Sequence, residues 1–213
     1  MEMLFNTSSK YILVKDMTNL LDFDAINKEF DTLAWKENIA NKVSIEMDLF
    51  DRESLVSMKP IIMEDCKQYL NHTANMEPHY DDLVMTRSWA NITEPGQGHH
   101  DHVHPFSIVS GAIFLDNNPS NLNLYIESFM PEIPYFITKS KAYVSLKSLL
   151  NDMGAKPSEH NYLKNHMVLF LSNSSHFVEN IPMEVPARKS ISFNTFWKGL
   201  VGVRGEALGS HVF

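Results

Sequence analysis

Apolar positions recur along this chain with two different periods, and the change of period divides it. Tyr11-Ile12-Leu13-Val14 is a short apolar run of strand length. From Asp24 to about Ala40 the spacing turns helical: Ile26, Phe30, Leu33 and Ala34 recur every three or four residues, and Asp24 is placed to cap the start. A second helical stretch runs from Arg52 to Leu70, with Leu55, Met58, Ile62, Cys66 and Tyr69 on one face. Pro60 is placed to kink or divide it. Neither helix carries a chemical signature, and the pattern predicts a packing layer laid on a sheet.

From Leu83 the period falls towards two. Leu83 to Ile92 reads as a strand, Glu94-Pro95-Gly96-Gln97-Gly98 as a turn, and Ile108 to Leu115 as another strand. A turn over 116–121 leads to a strand from Leu122 to Phe129. The stretch 130–165 is irregular, interrupted by Pro131, Pro134 and Pro157, and Ser140 to Leu150 fits strand or helix. Met167-Val168-Leu169-Phe170-Leu171 is a continuous apolar run of buried-strand length, and the chain resumes with His176-Phe177-Val178. Arg188 to Trp197 alternates polar and apolar residues, as a half-buried antiparallel strand does. Helices followed by many short strands predict an α+β chain whose catalytic half is an all-β sandwich or barrel. The expected organisation is one domain over 1–213: a helical support to residue 82, a core over 83–197 and a tail over 198–213.

Composition narrows the function classes. Hydrophobic residues make up 44% and charged residues 21%, which suits a globular protein with a sizeable core. A formal charge of −8 argues against non-specific binding to nucleic acid or to an anionic membrane. One cysteine, Cys66, allows no internal disulfide, and a reducing, cytoplasmic compartment is expected. The first residues lack the pattern of a secretory signal, and no apolar run reaches membrane-spanning length.

The chemistry concentrates between Gly98 and Gly111. Four of the ten histidines, His99, His100, His102 and His104, fall within six positions, with Asp101 among them. Neutral imidazole suits zinc, copper, iron and nickel, so this density predicts a transition-metal site. Residues i and i+2 share a face of a strand, so His102 and His104 project together, as do His99 and Asp101. The two pairs occupy opposite faces of any continuous strand. A third ligand must come from elsewhere: His176, after the apolar run, is the leading candidate, with His160 and His166 as alternatives. Three ligands on one face leave open positions, as in non-haem Fe(II) oxygenases. Arg188, with Ser190 on the same strand face, can receive a carboxylate, because a guanidinium matches it bidentately. The alternative for Arg188 is a structural ion pair with Glu179 or Glu184.

These residues resemble a known family. His102-Val103-His104-Pro105-Phe106-Ser107-Ile108-Val109-Ser110-Gly111 fits His-x-His-Pro-x-Ser-x-x-Ser-Gly, a hallmark of the small 2-oxoglutarate/Fe(II) oxygenases of phages and bacteria. Trp89-Ala90-Asn91 upstream, the apolar strand ending near His176, and Arg188-Lys189-Ser190-Ile191-Ser192-Phe193-Asn194 downstream complete the likeness over residues 83–197. The resemblance implies a double-stranded β-helix (jelly-roll) core, Fe(II) held by His102, His104 and His176, and 2-oxoglutarate held by Arg188 and Ser190. It also implies decarboxylation of 2-oxoglutarate to succinate and CO2 with hydroxylation of a C–H bond, ascorbate serving as a possible reductant.

Three details depart from the wider superfamily or stay open. The usual proximal pair is His-x-Asp, whereas the aligned pair here is His102 and His104; His99 and Asp101 form the alternative pair, and a mixed arrangement has Asp101 orienting a ligand imidazole. Phe114 stands where relatives often carry Tyr, which removes a phenolic hydrogen bond to 2-oxoglutarate; Tyr125 is the candidate replacement. Trp89 and Asn91 are expected to line the cavity, Asn91 beside the co-substrate. Two other functions compete: a three-histidine cupin dioxygenase that needs no 2-oxoglutarate, and a non-catalytic jelly-roll binding module. Absence of a carboxylate between Pro105 and Ile108 counts against the cupin. The substrate, small molecule or peptidyl, is not encoded in any motif; the helices before residue 80 and the 130–165 stretch are expected to wall the entrance.

Overall fold

In a computed structural model, residues 2–7, 10–74, 83–128, 142–152, 154, 162–198, 200–201 and 211–212 are described. Strands β1 (Glu2–Thr7) and β2 (Lys10–Asp16) form an antiparallel hairpin. Helix α1 (Phe23–Phe30) follows, capped by Asp22, whose carboxylate accepts the Ala25 N–H at 3.0 Å. The cap is thus Asp22 rather than Asp24. The helix also ends ten residues earlier than the spacing suggests. Leu33 is still buried, but it lies in a turn, and Trp35–Glu37 forms β3, which pairs with β4 (Lys42–Ser44). Apolar residues on a turn and a short strand have imitated one more turn of helix.

Helix α2 (Lys59–Ala74) carries Pro60 in its first turn rather than breaking there. Proline in a first turn costs little, since its missing N–H would have no partner. The face predicted for it is buried as expected: Met58, Ile62, Cys66 and Tyr69 are all under 5% exposed. Two polar ties fix α2 over β2. Lys15 Nζ donates to Asp65 at 2.5 Å, and the Tyr69 hydroxyl donates to the Tyr11 carbonyl at 2.7 Å.

The remaining elements build the two sheets. They are β5 (Leu83–Thr93), β6 (His99–His102), β7 (Val109–Phe114), β8 (Leu124–Ser128), β9 (Ala142–Ser145), α3 (Leu146–Asp152), β10 (His166–Leu171), β11 (His176–Val178) and β12 (Arg188–Trp197). The segment Ser140–Leu150 that fitted strand or helix is both in its described part: a strand, then α3. The irregular stretch over 129–141, and His160, lie outside the described residues.

The larger sheet has the order β1-β2-β10-β7-β12-β5-β4-β3, and the smaller has β6-β11-β8-β9. The fold is a double-stranded β-helix, and the region before residue 82 contributes four strands to it as well as helices. Two hydrophobic clusters sit on opposite faces of the larger sheet. One joins α1 and α2 to Ile113, Leu169, Ile191 and Phe193. The other fills the space between the sheets with Phe114, Leu124, Val168, Phe170 and Val178. This explains the continuous apolar run of β10: Met167 and Leu169 face the helices, Val168 and Phe170 face the other sheet. It also corrects two expectations. Strand β12 is buried on both faces, because its polar face walls an internal cavity. Helices α1 and α2 lie on the sheet face away from that cavity and do not wall its entrance. Among the described residues no helix is long and apolar enough to cross a membrane.

Candidate active site

Strands β6 and β11 pair so that His102 lies directly opposite His176. His104 follows the end of β6, and its backbone N–H donates to the Ser172 carbonyl at 3.0 Å. The three rings converge, with one ligand nitrogen from each within 4.8 Å of the others. His104 Nε2 and His176 Nε2 are 3.2 Å apart. That separation fits two nitrogens on neighbouring positions around one first-row ion with bonds of about 2.1 Å.

Backbone carbonyls orient two of these rings. His102 Nδ1 lies 2.8 Å from the His100 carbonyl and His176 Nδ1 lies 3.0 Å from the Ser174 carbonyl. A carbonyl only accepts, so each Nδ1 carries the proton and each Nε2 presents its lone pair to the cluster. Burial also disfavours the imidazolium forms. It holds His104 down to about 4, with His102 adding to the shift, and pushes His176 well below the ordinary histidine range, the other imidazoles reinforcing it. Burial lowers His102 too, against the opposing pull of the His100 carbonyl. Neutral imidazoles at pH 7 have no proton to lose before binding a metal.

Arg188 is at the far end of the same cavity, with Ser190 and Ser192 on the same face of β12. It is 5% exposed, and its guanidinium stacks over the Phe114 ring at 4.9 Å. Nε donates to Asn121 Oδ1 at 3.0 Å. Among the described residues the terminal nitrogens meet no acceptor, and neither Glu179 nor Glu184 forms an ion pair with the guanidinium. Burial lowers Arg188 to about 10, with Asp116 opposing the shift, so it stays cationic at neutral pH. A buried cation facing a cavity suits a carboxylate ligand.

Other predicted residues fall into place or out of it. Trp89 and Asn91 line the cavity, with the Trp89 ring 5.8 Å from that of His104. Asn91 donates to Ser192 Oγ at 3.0 Å. Tyr125 does not reach the cavity. Leu124 points inward, so its neighbour faces out, where Tyr125 stacks on Phe177 with centroids 4.8 Å apart. Asp101 is also turned away: it accepts from the Tyr143 hydroxyl at 2.8 Å and from the Ser175 hydroxyl. His166 is buried at the start of β10 with Nδ1 on the Lys164 carbonyl, remote from the cluster.

His99 is a different case, because it lines the cavity with His102. Parity puts the two on opposite faces of a regular strand, but β6 is not regular. His102 faces His176 while His99, three residues back, faces Val178, two residues on. One extra residue in β6 is a bulge, and it turns His99 to the inner face. Nothing in the sequence of 99–102 signals it.

Two further groups were given no role by the sequence reading. Asn41, just before β4, reaches the cavity and lies 3.4 Å from Asn91. The second is a knot of hydroxyls behind the histidines. Ser110 Oγ is 2.7 Å from Ser172 Oγ, which donates to Ser107 Oγ at 2.7 Å; Ser110 also donates to Asn194 Oδ1 at 2.8 Å. Ser107, Ser110 and Asn194 are polar positions of the two motifs, and here they tie the segment after His104 to β7, β10 and β12.

Fold and donor set define a class: jelly-roll proteins that hold a metal and an anionic co-substrate between two sheets. Residues 87–194 match the family described as "Putative 2OG-Fe(II) oxygenase", and the chain belongs to this family. Fe(II) and 2-oxoglutarate are therefore its metal and co-substrate, and the cupin and binding-module readings give way. No curated protein matches the chain in sequence. Solved structures share the fold at low identity. A Pseudomonas putida prolyl-4-hydroxylase is similar with a TM-score of 0.50 and 14% identity, over 87% of this chain and 93% of that one. HygX from Streptomyces hygroscopicus, solved with nickel, 2-oxoglutarate and hygromycin B, gives 0.51 and 9%, over 92% and 86%. The carbocyclase SnoK from nogalamycin biosynthesis gives 0.55 and 7%, over 90% and 81%.

Proposed function

We propose that the protein is an Fe(II)- and 2-oxoglutarate-dependent hydroxylase in which His102, His104 and His176 hold the metal and Arg188 with Ser190 holds the far carboxylate of 2-oxoglutarate. The carrying observation is the convergence of three imidazole nitrogens in a cavity that also contains a buried, cationic arginine. When bound, Fe(II) and 2-oxoglutarate supply oxidative decarboxylation to succinate and CO2, coupled to oxidation of a substrate C–H bond. The chain supplies everything around that step. Its carbonyl-oriented imidazoles present lone pairs without a prior proton loss. Arg188, propped by Phe114 and Asn121, fixes one end of the co-substrate so that the other end meets the histidines. Trp89, Leu124, Phe170 and Val178 keep the walls apolar, and Asn91 adds a polar contact on the co-substrate side.

The substrate is a small molecule or a peptidyl side chain; among fold neighbours a prolyl-4-hydroxylase and a carbocyclase mark the range. The test is succinate release from 2-oxoglutarate with Fe(II) and ascorbate, with 2-oxoglutarate binding measured in parallel. Arg188→Ala should weaken 2-oxoglutarate binding by at least about 100-fold, since it removes one partner of a buried charge pair. His176→Ala should abolish metal retention. Wild-type protein that neither binds 2-oxoglutarate nor releases succinate would sink the assignment.

A further inference from the structure

The bulge in β6 leaves an imidazole without an assigned role. His99 is turned into the cavity that holds the histidine triad and Arg188. Its ring centroid is 4.3 Å from that of His102, yet it is not one of the three residues whose nitrogens converge. Among the described residues its ring nitrogens have no hydrogen-bond partner. Its neighbours across the strand pairing order the cavity lengthwise. His102 faces His176 at the metal end; His99 faces Val178, one step further along β11. On the opposite wall, Ser192 and Ser190 lead along β12 to Arg188. His99 therefore stands beside the path from the triad to the arginine.

Along that path the described side chains of Phe114 and Tyr125 contribute no donor. Phe114 has a ring in place of a phenol and props Arg188 from below. Tyr125, the residue that could have compensated, faces the other side of its sheet. We infer that His99 donates a hydrogen bond to bound 2-oxoglutarate at its far carboxylate, sharing that group with Arg188. The inference rests on the proposed 2-oxoglutarate site and adds a residue to it. An imidazole N–H is a directional donor, here with no acceptor among the described residues, and a dicarboxylate threaded between the triad and Arg188 brings one within its reach. No ligation by His99 is required, which leaves the metal set at three.

The experiment is calorimetric titration of Mn(II)-loaded, anaerobic protein with 2-oxoglutarate and with 2-oxobutyrate, which keeps the chelating end and lacks the far carboxylate. Mn(II) affinity is measured separately by electron paramagnetic resonance. The variants are His99→Phe, which keeps a ring, His99→Gln, which keeps a donor, and Arg188→Ala. A hydrogen bond to a charged group is worth a factor of about 10 to 100. His99→Phe should lose about that factor for 2-oxoglutarate, with 2-oxobutyrate and Mn(II) affinities unchanged, and His99→Gln should recover much of it. Equal losses for both ligands, loss of Mn(II), or wild-type affinity in His99→Phe would each overturn the inference. If Arg188→Ala also leaves 2-oxoglutarate binding intact, it is the underlying site assignment that fails.

Discussion

At the scale of single residues, the histidine motif carries a glycine for a steric reason. A Cβ on Gly111 would lie 2.4 Å from Phe193 Cζ and 2.8 Å from Leu169 Cδ2. Both neighbours are held in the cluster under α1 and α2, so neither can retreat far. Gly111→Ala should destabilise the protein by about 1–3 kcal/mol, the usual cost of overpacking, read as a lower midpoint in urea. Cys66 illustrates the opposite kind of residue. It is fully buried in α2 and burial pushes its thiol far up, so it should stay unlabelled by a thiol reagent until the protein is unfolded. Rapid labelling of the native protein would contradict the packing. Of the residues read from sequence as a site, His102, His104, His176, Arg188, Ser190, Trp89 and Asn91 do meet in one cavity. They were legible because their spacing is set by strand periodicity and by motif. Tyr125 was misplaced although its neighbours held the answer, since Leu124 and Ile126 are both apolar and claim the inner face.

At the scale of elements, β6 and its continuation position the converging histidines by two different devices. His102 and His176 are fixed by strand pairing, whereas His104 lies beyond the strand, where its N–H donates to the carbonyl of Ser172, a member of the hydroxyl knot. Ser110→Ala removes a donor from Asn194 and a partner from Ser172. It should weaken metal binding, because Ser172, whose carbonyl accepts the His104 N–H, loses a side-chain partner. Ser110→Thr, which restores a hydroxyl, should recover part of it. Unchanged metal affinity in Ser110→Ala, with reduced thermal stability alone, would show the knot to be merely structural. The knot was only partly legible: Ser107, Ser110 and Asn194 are motif positions, but Ser172, in the turn after β10, is not, and only the fold brings the four together. The bulge was hidden for another reason: strand parity is a rule for regular backbone, and an extra residue leaves no mark in a run of polar side chains. Helix α1 was overextended for a third, since Leu33 and Ala34 continue its period after its hydrogen bonds have ended.

For the whole molecule, one arginine binds the support region together at some distance from the site. Arg52 grips Glu46 through two nitrogens, Nε at 3.0 Å and a terminal nitrogen at 2.5 Å, and also reaches Glu29 on α1. Its hydrogen bonds hold Glu46 below the usual carboxylate value of 4.5. Ser54 first, and Arg52 second, do the same for Glu29. A carboxylate whose folded value is depressed stabilises the fold above its unfolded value and loses that contribution as pH falls through the folded one. Wild type should therefore lose stability as pH drops below about 4.5, and Arg52→Gln should lose less over the same window. A thermal-melt series from pH 7 to pH 3 checks this; parallel curves for the two proteins would refute it.

The bulge that rotates His99 inward has a second effect, on association between molecules. Strand β6 stands at one end of the smaller sheet, with β11 as its neighbour among the described strands. A flat strand there would be a template for another chain, and sheet edges are commonly protected by brevity, irregularity and twist. With four residues and a bulge, β6 has two of these protections. The irregularity that shapes the interior of the cavity also guards the outer rim of the sheet, so a variant straightened there by deleting His100 should lose solubility as well as co-substrate affinity, and light scattering would register the first loss independently of the second.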